Sequence, residues 1–240
     1  MTIKQKLGKL FIPALPVTRH VFDHFRLEWN AIYVRTLHRI SPFYRARIGK
    51  LRKEKELLVN LGCGPYGLPT GWINLDLFPI KNVYMRTDCR KWLPLADSSC
   101  KGIHVEMFVE HLDPFEELPV FLKECYRSLQ PGGILRVIVP DAELFLKAYA
   151  QEGWAALNAI SYGFVDWSKE YDTKMDALNH VFLQVNEHYG GWSYERLKGV
   201  LERAGFAIIR QLSYNQGDFP GGAIDREYHR QNGLYAEAVK

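Results

Sequence analysis

Leu57-Leu58-Val59-Asn60-Leu61-Gly62-Cys63-Gly64-Pro65-Tyr66-Gly67 is the stretch on which the reading of the whole chain turns. Its first five residues are apolar but for Asn60, too few for a helix of ordinary length and enough for a strand buried on both faces. Glycine at the end of such a strand lets the backbone turn sharply and approach a ligand with no Cβ in the way. The run also matches G-x-G-x-x-G, which alone suggests a dinucleotide loop. That reading needs a helix opening at the loop to receive a pyrophosphate, and an acid about 20 residues further on. Asp76 comes only 14 residues after Gly62, and Pro69-Thr70-Gly71 leaves no room for a full helix.

Working outward, further strands are expected at 72–77, 82–86, 102–108, 134–139, 206–211 and 234–239. Asp113-Pro114 reads as the start of a helix that presents Leu118, Phe121, Leu122, Cys125 and Leu129 on one face and stops at Pro131-Gly132-Gly133. After an irregular aromatic-rich stretch, 153–192, Ser193 caps a helix ending at Gly205. Seven strands with interleaved helices imply an α/β fold: an open, mostly parallel seven-stranded sheet with helices on both faces and its ligand site at the C-terminal edge of the strands.

The 240 residues carry 31 Lys/Arg and 27 Asp/Glu, unevenly placed: residues 1–56 hold 13 against 4, leaving 18 against 23 in the body. The chain therefore divides into a basic helical arm, 1–56, and a mildly acidic domain, 57–240. In the arm, Thr18 can cap a helix whose apolar residues Val21, Phe22, Phe25, Trp29, Ile32, Tyr33, Leu37 and Ile40 recur at three- and four-residue steps; Ser41-Pro42 ends it, and a basic segment from Arg45 to Lys55 leads into the body. The apolar face is expected to pack on the body, with Arg35, Arg39, Arg45, Arg47 and Arg52 as a solvated or acceptor-facing rim.

An apolar share of 47% with 24% charged residues excludes disordered, collagen-like and coiled-coil classes. No apolar run approaches the 18 or so residues of a membrane span. Pro13 and Pro16 interrupt the N-terminal apolar stretch and no small-residue cleavage site follows, so a cytoplasmic address is expected. Cys63, Cys89, Cys100 and Cys125 form no CxxC pair, so they read as reduced thiols, and no metal site is expected.

A loop that need not hold a phosphate suits S-adenosylmethionine (SAM), whose methionyl chain lies along the loop backbone while an acid at the end of the second strand holds the ribose hydroxyls. Downstream come Asp88-Cys89, then Leu93-Pro94-Leu95-Ala96-Asp97, then Glu110-His111-Leu112 after the fourth strand, and Val139-Pro140-Asp141 after the fifth. With Asn60-Leu61-Gly62-Cys63-Gly64, this ordered set resembles the class I, seven-stranded Rossmann-like SAM-dependent methyltransferases, in particular their small bacterial, type 11-like branch.

The resemblance implies that Gly62, Cys63 and Gly64 line the methionyl part, that Asp76 accepts from the ribose, and that Asp88 and the Cys89 amide bracket the adenine, with Leu77 and Leu93 as apolar walls. Asn60 stands where most of these enzymes have an acid, and Glu106 is the candidate to supply the missing charge. His104 and Glu106, both in the fourth strand, are expected on opposite faces, so that at most one looks toward the site.

Candidate bases are His111, which Glu110 could orient, Asp141, which could equally cap a helix, and His188 in an acceptor-side insert at about 150–192. No Asn/Asp-Pro-Pro-aromatic tetrad and no Pro-Cys pair is present, which disfavours nucleic acid. The resemblance points to methylation of a hydroxyl on a small molecule or glycan, such as a nucleotide- or lipid-linked sugar in polysaccharide biosynthesis. The arm then touches phosphate, a membrane surface at its inner face, or water. An RNA or tRNA methyltransferase and a catalytically degenerate binding or scaffold module are the alternatives.

Overall fold

The computed structural model describes residues 18–65, 70–81, 83–184, 187–222 and 224–240. The N-terminal lysines, Pro13, Pro16, the loop residues Tyr66 and Gly67, Pro69 and Asn82 lie outside that range. Helix α1 is Arg19–Ile40 and α2 is Pro42–Leu51. Strands β1 Leu57–Leu61, β2 Ile73–Asp76, β3 Met85–Arg86 and β4 Cys100–Glu106 follow. Then come α3 Leu118–Ser128, β5 Leu129–Pro140, α4 Ala142–Tyr149, α5 Ala155–Ala159, α6 Lys174–Leu183, α7 Tyr194–Arg203, β6 Ile208–Leu212 and β7 Gly233–Val239. The seven strands lie in the order β3-β2-β1-β4-β5-β7-β6. All pairs are parallel except those of β7, which runs antiparallel to β5 and β6. The expected open, mostly parallel seven-stranded sheet is the observed one.

Several boundaries move for local reasons. Strand β4 ends at Glu106 because Met107 has φ +51°, which turns the chain away from the ladder. Gly132, at φ +76°, donates its N–H to the Lys240 carbonyl at 2.9 Å, so Pro131-Gly132-Gly133 is absorbed into the start of β5 rather than separating helix from strand. Asp113 caps a turn, accepting from Phe115 N at 2.9 Å and Glu116 N at 2.7 Å, and α3 begins only at Leu118. The basic segment before β1 is largely helical: Ser41 is extended, Pro42 starts α2, and Tyr44, Ile48 and Leu51 recur at helical spacing against the core.

One face of the sheet carries the main core, where Val59, Leu61, Ile103, Val105, Leu135 and Val137 meet Phe121, Leu122 and Cys125 of α3 and Leu197 and Leu201 of α7. The other face carries a buried polar row. Asn74, Asn60, His104, Arg136 and Glu237 are in register across β2, β1, β4, β5 and β7. It is covered by the segment 213–226: Phe219 stacks on Trp72 at 5.6 Å, Asp218 N donates to Glu237 at 2.9 Å, and Asp225 receives Arg136 Nε at 2.7 Å. His104 and Glu106 share this face, correcting the expectation of opposite faces, because residues two apart in a strand point the same way. His104 lies 3.7 Å from Asp225, and Glu106 meets Arg226.

The arm departs from expectation. The α1 side chains buried against the body are Ala31 and Val34, while Phe25, Trp29, Ile32 and Ile40 are 63%, 62%, 52% and 69% exposed. Polar contacts hold the helix down: Glu28 pairs with Arg90 at 2.6 Å, Arg86 donates to Asn30 at 2.9 Å, and Arg35 pairs with Asp88 at 2.7 Å. Arg35 thus belongs to a pair and not to a solvated rim. No described helix is long and apolar enough to cross a membrane. All four cysteines are free and buried. Helices α4 to α6 build a second small core around Phe145, Leu157, Trp167 and Leu178.

Candidate active site

A cleft of about 720 Å³ opens at the C-terminal edge of β2, β3 and β4. Gly62, the ends of β2 and β3, the turn after β4 and one side of α1 line it, the last through Asp23, His24, Arg26 and Leu27. Of the residues expected at a cofactor, Gly62, Asp76, Leu77, Asp88 and Cys89 line this cleft.

Gly62 and Gly64 have φ of +60° and +59°, the left-handed conformation that glycine adopts freely. A Cβ at Gly62 would also collide with the Phe108 ring, which closes over the loop from the end of β4. Asp76 accepts from Gly64 N at 3.0 Å and Phe78 N at 2.8 Å, so one carboxylate ties the glycine loop to the end of β2. Burial raises its pKa against the pull of these N–H groups.

Other expected residues sit elsewhere. Asn60 pairs with Asn74 at 3.2 Å on the face covered by 213–226, outside the cleft. Glu106 does not supply a charge to the cleft either: it accepts from Arg226 N at 3.1 Å, and burial raises its pKa to about 7. Arg226 in turn donates to the Cys63 carbonyl at 2.8 Å, so Cys63 supports the loop from behind. Its thiol, pushed up to about 12 by burial, is inert at neutral pH. Asp88 lines the cleft, but Arg35 and Arg90 take its oxygens at 2.7 and 2.8 Å, so it clamps the arm to the cleft floor. Leu93 is buried in the core.

Among the candidate bases, Asp141 caps α4, accepting from Glu143 N at 3.0 Å and Leu144 N at 3.2 Å, and lies outside the cleft. His111 lines it, with Nδ1 3.0 Å from the Glu187 carbonyl, and burial lowers its pKa. His188 stacks edge-on behind it, ring centroids 4.6 Å apart. Glu110 does not orient His111: both its carboxylate oxygens are buried without a hydrogen-bond partner. Sequence reasoning missed Phe108, Arg90 and the α1 wall. The only sequence signals were the aromatic just past the end of β4, the Arg two residues after Asp88, and the polar residues between the apolar steps of α1.

The strand order, the glycine loop ending the first strand and the acid ending the second are those that a resemblance to the class I, Rossmann-like methyltransferases implies. Residues 76–137 match a family described as a methyltransferase domain. That match spans 62 of the 240 residues, from the end of β2 into β5. The structure of the chain is similar to a SAM-dependent methyltransferase from Archaeoglobus fulgidus, with 16% identity, TM-score 0.46, and 88% of this chain and 94% of that one covered. It is also similar to one from Mesorhizobium loti, with 16% identity, TM-score 0.46, and 82% and 97% covered. A third is the 1,6-didemethyltoxoflavin-N1-methyltransferase of Burkholderia thailandensis, solved with S-adenosylhomocysteine, with 12% identity, TM-score 0.44, and 94% and 92% covered. No curated protein matches the sequence.

The residues present fit SAM, the cofactor that the resemblance implies. Gly62 lines the cleft with no side chain between its backbone and the open space, and each Asp76 oxygen keeps a lone pair for a ribose hydroxyl. When bound, SAM supplies a methyl group on a sulfonium, open to in-line displacement. The protein's part would then be to hold the acceptor in line and, for a hydroxyl, to remove its proton.

Proposed function

We propose that the chain is a SAM-dependent methyltransferase acting on a hydroxyl of a small-molecule or glycan acceptor, with a nucleotide- or lipid-linked sugar as the preferred class. The observation that carries the reading is His111 at the cleft wall. With Nδ1–H donating to the Glu187 carbonyl, Nε2 keeps its lone pair, and a pKa below the usual imidazole value keeps the ring neutral at pH 7. A hydroxyl must shed its proton to attack, and a neutral imidazole facing the cleft is a group that can take it. The exposed apolar stripe of α1, with exposed Arg26, Arg39 and Arg45 nearby, supports a lipid-linked acceptor met at an anionic surface. The reading puts the enzyme in the cytoplasm, at the inner membrane face.

Calorimetry with SAM is the first test: the wild type binds saturably and Asp76→Ala weakens binding at least about tenfold, roughly the worth of one charge-assisted hydrogen bond. Labelled methyl transfer to a panel of nucleotide- and lipid-linked sugars follows. Transfer to tRNA with none to any hydroxyl-bearing small molecule or glycan overturns the reading.

A further inference from the structure

We propose that Glu110, His111 and His188 form a site for one divalent first-row transition-metal ion of the zinc type, at the wall of the cleft. One ligand atom from each lies within 4.8 Å of the others, the one such cluster among the described residues. Glu110 and His111 stand side by side on the 3-10 turn Val109–His111 after β4, and the backbone of Tyr189 donates to the Glu110 carbonyl at 2.9 Å, which ties His188 to that turn.

Burial gives these groups a reason to seek a cation. Glu110 is 1% exposed and neither of its carboxylate oxygens has a hydrogen-bond partner; His188 is 7% exposed and its Nε2 has none. Buried polar atoms are usually paired, so two bare oxygens on Glu110 and a bare nitrogen on His188, in one cluster with His111, point to an occupant. Both histidines are also held as metal ligands are held: Nδ1 of His111 lies 3.0 Å from the Glu187 carbonyl and Nδ1 of His188 lies 2.8 Å from the Val181 carbonyl. A carbonyl on one ring nitrogen fixes the tautomer and turns the other nitrogen's lone pair outward. Two imidazoles and one carboxylate suit zinc and neighbouring ions better than magnesium or calcium, which prefer all-oxygen sets. Three protein ligands leave a coordination position open, and His111 brings that position to the cleft, where an acceptor hydroxyl could take it; the ion would then acidify that hydroxyl, its proton leaving to solvent, and His111 would serve as a ligand in place of the base.

This deepens the proposed function, resting on it for the acceptor but not for the ion, so the test measures metal without turnover. The full chain, stripped with chelator and free of SAM, is titrated with zinc against a chromogenic competitor. The wild type takes up one ion per chain. His111→Ala and His188→Ala each weaken it at least about 100-fold, beyond the cost of an outer-shell change. Glu110→Gln weakens it less, and His180→Ala leaves it unchanged. Circular dichroism checks that the variants fold. Should they not, cobalt(II) bound to the wild type settles the ligands, because nitrogen and oxygen donors give d–d bands without the charge transfer of a thiolate. No stoichiometric uptake, equal uptake by the variants, or a thiolate band overturns the site. Zinc uptake without methylation of any hydroxyl acceptor removes the proposed function and leaves the site standing.

Discussion

Arg35 of α1 donates to Asp88 at 2.7 Å, and Asp88, 1% exposed at its side chain, receives Arg90 from the other side. The basic arm is therefore part of the cleft, joined through a carboxylate that its floor depends on. Asp88→Ala removes one carboxylate from Arg90, itself 9% exposed, leaves it Glu28 and Glu117, and is expected to cost about 2 kcal/mol, the worth of a charge-assisted hydrogen bond. Arg35→Ala leaves Asp88 paired with Arg90 and, with Arg35 a third exposed, is expected to cost about 1 kcal/mol or less. Urea unfolding separates the two, and equal costs would mean that Arg90 does not hold Asp88 alone.

Gly62 and Gly71 make a matched pair for the glycine loop. Both have positive φ, but only at Gly62 would a Cβ strike a neighbour, the Phe108 ring, while nothing lies within 4 Å of one at Gly71. Gly71→Ala is expected to cost only backbone strain, about 1 kcal/mol. Gly62→Ala adds the displacement of Phe108 from the cleft, so SAM affinity falls at least about tenfold, beyond a strain-only loss of roughly 1 to 3 kcal/mol in stability. Calorimetry on both variants checks the contrast.

These two glycines also show what the sequence could convey. The loop, Asp76 and the seven strands were legible because apolar runs and glycines are local signals. Asn60 and Glu106 were placed at the cofactor by their rank in a motif, but pleating decides where a strand residue points, and both face the segment 213–226. That cover is irregular and carries no periodicity to announce it. Helix α2 had a signal, Tyr44, Ile48 and Leu51, hidden beneath a dominant basic composition. The bare carboxylate of Glu110 has no signature in sequence, because the absence of a partner is a property of tertiary packing alone.

Glu106 sets a pH dependence. Burial raises its pKa from 4.5 to about 7 against the attraction of Arg226. Between those values the folded chain holds a proton that the unfolded chain has released, so stability falls as pH rises through the window and levels off above it. Glu106→Gln keeps an acceptor for Arg226 N and has no proton to lose. Relative to wild type its stability therefore rises across pH 4.5 to 7, by at most roughly 3 kcal/mol. Buried histidines such as His229, lowered to about 4, tilt the profile the other way in both proteins and cancel in the difference. Urea midpoints of the two at pH 5 and pH 7 test it, and parallel profiles would refute the assignment.

The last prediction concerns the outer side of α1. Phe25, Trp29, Ile32 and Ile40 fall on one stripe and are more than half exposed, while Ala31 and Val34 face the body, so the helix has spent its small residues on packing and turned its large ones outward. Burying such side chains in an interface yields roughly 1.5 to 3 kcal/mol each at full burial, and nearby arginines add attraction to anionic lipid. The chain is expected to sediment with vesicles containing phosphatidylglycerol and to be released by salt. Phe25→Ser/Trp29→Ser should abolish sedimentation with little change in unfolding midpoint, because neither side chain contributes to the core. Binding that persists in this variant, or that ignores lipid charge, would separate the stripe from the membrane and leave a protein partner as its counterpart.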